Sequence, residues 1–471
     1  MLRLLLLVHS LPPDEHTGTP LVTHGYARAL ASRGFAVTVV YPSPERTSWE
    51  LAPERWDGES FDRVVTPFSP SADRWPVIAA SEHGPADVAS ERAFVTLLGK
   101  LGPDVVHVVN NVRLPLSWPE LAHARGIPVV RSVTCAEDLC GLIAPVSPRS
   151  GVDGYCPGPL TPDGCARCIE AEAASGGTVP IGASAQLLDH LRRKRARSVS
   201  QYRQVFDRIL FATAGFRHYF ESTLPLAPDK VRVIETGMDL APWGDQEEHS
   251  AAPLPSAEPG EPVTFCLAAL ASAPKGLAAV TDTFTSPELL RRGDYRLVLA
   301  GGGDKRLAAP LLAANPKVSW HGPYRSGDLP RLLAGVDVGL STSYFETFHR
   351  VTREYLLAGR PVIGSHAFGI PDIVRSGRNG LLFDHREPGS LTRAVLSVLD
   401  DRALLATLAA GARTTRVRST DDEADELAAL YRDLVAASRS AGGTDTSRAA
   451  GNPTAGAPRI GPPPSSPRPA R

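Results

Sequence analysis

Glu346 and Glu354 stand eight residues apart in the run Ser341-Thr-Ser-Tyr-Phe-Glu-Thr-Phe-His-Arg-Val-Thr-Arg-Glu-Tyr-Leu-Leu357. The run follows an apolar stretch ending at Leu340 and takes up helical periodicity near Val351, which places Glu346 in a loop and Glu354 in a helix. A carboxylate accepts paired hydrogen bonds, which suits the neighbouring hydroxyls of a sugar. The helix start near Phe348 to Arg350 adds unsatisfied backbone N–H groups and a positive dipole end, a setting for a diphosphate. Taken singly, each acid also fits a solvated surface. The ordered set is what points to chemistry.

A second cluster is made of sulfur. Of six cysteines, Cys140, Cys156, Cys165 and Cys168 crowd into one region, the last two as a C-x-x-C pair. Four thiolates can close a tetrahedral structural zinc site that staples a Gly- and Pro-rich loop. An iron–sulfur cluster or plain reduced thiols are the alternatives, and no catalytic role is assigned to them. The short apolar N-terminus, ended by His9, Ser10 and Pro12-Pro13, reads as a buried strand rather than a secretion signal. A disulfide framework is therefore not expected, and the expected location is cytoplasmic. Leu191-Arg-Arg-Lys-Arg-Ala-Arg197 opens a basic helix running to Arg203. It is either a solvated face or a contact to the inner face of a membrane or to a lipid-linked acceptor.

The elements that must position these residues repeat a strand–helix alternation, the pattern of a parallel sheet. Leu4–Val8, Ala36–Val40, Arg63–Val65, Val105–Val109, Val129–Val133 and Arg208–Phe211 read as strands in the first half. Val263–Ala268, Arg296–Ala300, Val318–Trp320, Val336–Leu340, Val362–Gly364 and Gly380–Phe383 restart the series. The expected organisation is an α/β fold of two doubly wound domains, 1–240 and 263–420. A Cys-rich insertion at about 135–180, a linker at 241–262, a closing helix at 421–436 and a disordered tail at 437–471 complete it. Two such domains face each other across a cleft at the carboxyl ends of their strands. The 471 residues carry a formal net charge of −1, so nothing global draws the chain to nucleic acid.

The spacing of Glu346 and Glu354 resembles the E-x(7)-E signature of retaining GT-B glycosyltransferases of family 4. Ala358-Gly-Arg-Pro-Val-Ile-Gly364, Phe368-Gly-Ile-Pro-Asp-Ile-Val374 and Gly377-Arg-Asn-Gly-Leu-Leu-Phe383 resemble further runs of that family, in the same order. The resemblance implies the GT-B fold, with two Rossmann-like domains, and transfer of a sugar from a nucleotide-diphosphate sugar to an acceptor hydroxyl. It implies that Glu354 holds the ribose and Glu346 meets the sugar, with Thr347, Phe348, His349 and Arg350 at the sugar or phosphates. Lys275, in Ala273-Pro-Lys-Gly276, matches the lysine that neutralises the leaving diphosphate. Gly18 and Thr19 match a Gly-rich loop approaching the donor.

Departures from the family pattern are part of the expectation. Ala269-Leu270 stands where the family has Gly-Arg, so a phosphate-binding cation is missing, with Arg350, Arg353 or Arg325 as replacements. His349 stands where Gly is common. No histidine follows Val129–Val133, which leaves Thr134, Cys135, Glu137 or Asp138 to face the cleft. His107 reads as a strand-end histidine rather than a catalyst. No cofactor is expected for catalysis. A non-catalytic nucleotide-sugar-binding scaffold, or a GT-B phosphorylase or epimerase, would share the cleft. Phosphate dependence, or product without an acceptor, separates the last two.

Overall fold

A computed structural model describes residues 1–69, 87–140, 156, 158, 160–174, 184–244, 256, 260–269 and 272–443. Residues 444–471 of the tail expected at 437–471, most of the linker, Leu270 and much of the Cys-rich insertion lie outside them. The first half folds around strands β1 (Arg3–Leu7), β2 (Ala36–Pro42), β3 (Glu54–Arg55), β4 (Asp62–Thr66), β5 (Val105–Val108), β6 (Val129–Val133), β7 (Arg208–Phe211) and β8 (Val231–Val233). Their order in the sheet is β3-β4-β2-β1-β5-β6-β7-β8, parallel throughout except for the β3–β4 edge pair. The second half builds on β9 (Val263–Ala268), β10 (Tyr295–Ala300), β11 (Val318–Gly322), β12 (Val338–Ser341), β13 (Val362–Ser365) and β14 (Gly380–Phe383). Here the order is β11-β10-β9-β12-β13-β14, and every pair is parallel.

The strands read as continuous apolar runs because helices cover both faces of each sheet. Leu4, Leu5, Leu6 and Leu7 are all buried, with alternate residues in different core clusters: Leu5 and Leu7 in one, Leu4 and Leu6 in the other. Period-two alternation along one strand thus feeds two cores. In both sheets the chain winds outward in two directions from the first strand. β1 lies between β2 and β5, and β9 lies between β10 and β12. Such reversal points leave a crevice beyond the strand ends, where ligands bind in folds of this kind.

Two chain crossings join the halves side by side. Met238 N–H donates to Arg418 O at 2.9 Å, and Thr420 N–H donates to Met238 O at 2.9 Å. Gly237 leaves no room for a side chain, since a Cβ would lie 2.2 Å from Ser419 O. The second crossing leads into a helix at Thr420–Gly443, longer at both ends than the expected 421–436. Ala436-Ala-Ser-Arg-Ser-Ala441 carries no Gly or Pro to end it. This helix belongs to the first half. Ala424, Leu427, Tyr431 and Val435 join the cluster containing Tyr26, Leu30, Phe35 and Val130.

Other boundaries also move. Gly18 and Thr19, expected in a loop, form the first turn of the helix Gly18–Ser32 behind Thr17. Pro20 fits there because the N–H it lacks has no partner in the first turn of any helix. The region expected as a Gly- and Pro-rich loop contains a helix, Pro162–Ala174, which carries Cys165 and Cys168. No helix among the described residues is long and apolar enough to cross a membrane.

Candidate functional site

A cleft of about 860 Å³ opens between the halves, lined by the residues that follow the carboxyl ends of β1, β5, β6, β9, β10 and β12. The second half supplies its most concentrated chemistry. After β12 the chain runs through Thr342–His349 and enters the helix Arg350–Leu357. Glu346 lies in that loop and Glu354 one turn into the helix, both on the cleft wall.

Glu346 is the convergence point. Its Oε1 accepts from the Lys275 ammonium and, at 2.8 Å, from the Ser343 hydroxyl; His349 Nε2 lies 3.8 Å from the same oxygen. Burial works to raise the Glu346 carboxyl, but Lys275, His349 and Ser343 outweigh it and hold it below the usual carboxylate range. Lys275 reaches this oxygen because of a close fit of two loops. Gly276, at φ 73°, has Thr342 O where a Cβ would sit, 1.8 Å away, and Thr342 Oγ1 donates to Lys275 O at 2.9 Å. A side chain at 276 would push the lysine's turn away from the glutamate's loop.

Arg350, the first residue of the helix, donates to Glu354 Oε1 at 3.2 Å. Its Cδ would lie 3.8 Å from a Cβ on Gly18, so this arginine reaches across the cleft toward the first half. Of the three replacements for the missing cation, only Arg350 lines the cleft. Arg353 is buried and committed to Glu235 at 2.7 Å and Phe348 O at 2.6 Å, with its guanidinium 3.7 Å from the Phe348 ring. Arg325 is exposed outside the lining.

Not every expected group is available. The Thr352 N–H, one of the helix's free donors, is taken by His349 Nδ1 at 3.2 Å. Thr347 spends its hydroxyl on Thr134 O at 2.9 Å, and its own carbonyl accepts from Thr213 Oγ1 at 3.1 Å. These two bonds pin the second-half loop to the ends of β6 and β7. Beside them Phe345 packs on Phe216 and Tyr219 with ring centroids 5.7 Å apart in each case.

The first half faces the cleft with a sparser set. Thr134 and Cys135 line it, as expected. Glu137 and Asp138 do not, because both turn onto the buried Arg131, at 2.6 and 2.7 Å, with the Tyr202 hydroxyl donating to Asp138 at 2.6 Å. A guanidinium inside the core needs both carboxylates. Cys135 donates to Glu137, and burial pushes its thiol far up, so it is no ready nucleophile. His107 is fully buried between Tyr431 and Ser132, at 2.7 and 2.8 Å, and burial drives it down to about 3. It is a neutral structural histidine.

Several lining residues were not singled out by the sequence. Glu15 accepts from Thr17 at 2.5 Å and lies 3.8 Å from His9 Nε2. His9 does most to lower the Glu15 carboxyl, burial opposes, and Thr17 and Arg113 add to the lowering, which takes it to about 2. Asn110 and Arg113 line the cleft after β5, and Tyr324 after β11. Position just past the carboxyl end of a parallel strand is the signal that finds them.

The cysteines and the basic run come out differently. Cys140 and Cys165 are buried in the first-half core and Cys156 packs against it. Among the described residues, no group of three or more Cys, His, Asp or Glu is placed to hold a metal ion. In the basic helix, which spans Ser184–Ser200, Arg197 pairs with Glu120 at 2.8 Å, Arg195 donates to Leu139 O at 2.9 Å, and Arg193 pairs with Asp189. Arg195 and Arg197 are thus directed inward, while Arg192 and Arg193 stay exposed.

Comparison with known proteins matches both halves. Residues 17–237 match the glycosyl transferase 4-like domain, and residues 261–401 match glycosyl transferases group 1. A D-inositol 3-phosphate glycosyltransferase of Salinispora arenicola is 30% identical over 231 residues, 45% of this chain and 51% of that protein. A GDP-mannose-dependent alpha-mannosyltransferase of Mycobacterium tuberculosis is 35% identical over 23% of this chain and 29% of its own. The chain thus matches about half the length of the first of these curated relatives. Among solved structures, sucrose-phosphate synthase from Thermosynechococcus elongatus superposes with a TM-score of 0.63 at 15% identity, covering 93% of this chain and 100% of its own. Anabaena HepE in complex with UDP and glucose gives a TM-score of 0.59 at 15% identity, covering 92% and 100%.

Proposed function

Because the chain belongs to the family 4 type of GT-B glycosyl transferases, we propose that it transfers a sugar from a nucleotide-diphosphate sugar to an acceptor hydroxyl with retention of anomeric configuration. What carries this reading is the convergence of Lys275 and Glu346 on one wall of the cleft, with Arg350 and Glu354 beside them. Four charged groups sit as two neutral pairs. Each pair holds a cation for phosphate and a carboxylate for hydroxyls. A donor that brings both chemistries can exchange into both pairs without leaving a charge buried alone.

In this reading Glu354 releases Arg350 and takes the ribose hydroxyls, and the guanidinium turns to the diphosphate. Lys275 sits where negative charge grows as the anomeric carbon–oxygen bond breaks. A cation fixed in a cleft of low dielectric lowers the barrier without reorganising. The acceptor oxygen attacks the same face of the sugar, and its proton passes to the departing diphosphate oxygen. No side chain forms a covalent intermediate: Glu346 exchanges Lys275 for a sugar hydroxyl and keeps its bond from Ser343. The acceptor enters from the first half, past Glu15, Asn110 and Arg113.

The test is thermal unfolding against uridine, guanosine, adenosine and thymidine diphosphates and their sugars. Ligand at a hundredfold its dissociation constant stabilises by about 2.7 kcal/mol. One base should stand out, and Glu354→Gln should weaken it about tenfold, the loss of one charge-assisted hydrogen-bond pair. A full shift retained in the variant would remove Glu354 from the site. No shift with any nucleotide would favour the scaffold reading.

A further inference from the structure

Among the described residues only two that are not glycine have positive φ, Arg113 at 66° and His349 at 63°, and they line the cleft from opposite halves. Such a backbone persists where its surroundings over-determine it. Around His349 those surroundings are explicit. Its Nδ1 accepts the Thr352 N–H at 3.2 Å and lies 2.6 Å from the Thr352 hydroxyl, which is in turn bonded to Ser341 at 2.8 Å. A backbone N–H can only donate, and this bond assigns the acceptor role to Nδ1 and the ring proton to Nε2. The side chain is 6% exposed, and burial, opposed by Glu346, drives the imidazole down to about 4. At neutral pH the imidazole is therefore uncharged, with its single proton on Nε2.

That proton has no described partner. Glu346 Oε1, at 3.8 Å, is beyond hydrogen-bond range and already accepts from Lys275 and Ser343. None of the described hydrogen bonds reaches Glu346 Oε2 either. The cleft wall thus presents a fixed donor and a fixed acceptor side by side. A hydroxyl needs both, since it donates one hydrogen bond and accepts another.

We propose that His349 determines donor specificity, its Nε2–H and the Glu346 carboxylate together reading a single hydroxyl of the transferred sugar. The inference rests on the proposed function and adds a side chain to it. A sugar lacking that hydroxyl leaves Glu346 Oε2 and the His349 N–H unpaired on a largely buried stretch of the cleft wall, whereas extra bulk elsewhere is penalised far less.

The experiment uses the full chain and the nucleotide identified by the base panel. Its sugar nucleotide is compared with analogues deoxygenated at one ring position at a time, by kcat/KM and by binding. The wild type should lose at least 100-fold at one position. His349→Asn keeps an N-cap and tolerates the left-handed backbone, but is too short to reach the Nε2 position. It should cut that discrimination at least tenfold and leave the other positions as they were. His349→Gly, which relieves the backbone strain, should do the same and guards against a folding artefact. Imidazole 15N spectra of the wild type should show the Nε2–H tautomer. Equal losses at all positions, or an Nδ1–H tautomer, would overturn the inference while nucleotide binding stands. Absence of all nucleotide binding would instead remove the reading beneath it.

Discussion

The two walls of the cleft are built by opposite strategies. On the second-half wall, Glu346, His349, Arg350 and Glu354 come from one loop and the helix it enters, with Lys275 added from the turn after β9. On the first-half wall, His9, Glu15, Asn110, Arg113 and Thr134 come from the ends of different strands. The most strongly charged group there, Arg131 with Glu137 and Asp138, faces inward and holds the wall together. One wall concentrates its charge at the ligand. The other spends it on its own fold. Under the proposed function, this division suits a donor side that meets a fixed diphosphate and an acceptor side free to vary its contacts.

The largest expected effect tests the inward charge. Arg131→Ala should destabilise the protein by about 3–5 kcal/mol, because it strands two buried carboxylates. Denaturant unfolding would measure it. A loss confined to catalysis, with stability intact, would place Arg131 on the ligand side and erase the contrast. Next, Lys275→Met should slow transfer by about 100- to 1,000-fold, in line with removal of a transition-state charge partner. Nucleotide affinity should change far less, and steady-state kinetics alongside the thermal panel separate the two. A pure affinity effect would make Lys275 a tether only.

A smaller effect concerns the crossing that joins the walls. Glu423 accepts from Gly237 N–H at 2.8 Å, and burial raises its carboxyl to about 8, with Glu426 and Glu235 adding to this and Gly237 N–H and Arg418 opposing it. The folded pKa lies above the unfolded one, so the unfolded chain releases this proton first. The group's contribution is full below about pH 4.5 and is lost as the pH rises to about 8. Glu423→Gln should flatten the fall in melting temperature across that window. An unchanged slope would mean that the carboxyl is ionised in the fold. Smallest of all, Thr347→Val removes the hydroxyl bonded to Thr134 O across the cleft, and should cost about 0.5–1.5 kcal/mol. A matching loss of transfer rate would show that this tie also positions Glu346.

Legibility followed the same division. The two-sheet architecture was readable because parallel strands buried on both faces leave near-continuous apolar runs, as at Leu4–Val8 and Val263–Ala268. The second-half residues were readable because their spacing is local. Helix starts were less so: Gly18-Thr19-Pro20 looks like a loop, yet the first turn of a helix accepts both Gly and Pro. The helix Pro162–Ala174 was hidden by the glycines and prolines around it.

Sequence alone determined that two doubly wound sheets exist, and that Glu346 and Glu354 sit in a loop and in the helix it enters. Those facts depend on apolar runs and on residues adjacent along the chain. Tertiary structure decided which charges are free to meet a ligand. Glu137 and Asp138 are as acidic as Glu346, and Arg353 is as basic as Arg350, yet the first three-dimensional neighbour of each settles its role. Burial beside Arg131 or Glu235 turns a charge into scaffold, and a place on the cleft wall leaves it for chemistry. That neighbour comes from another strand or the other half, at a distance no local pattern records.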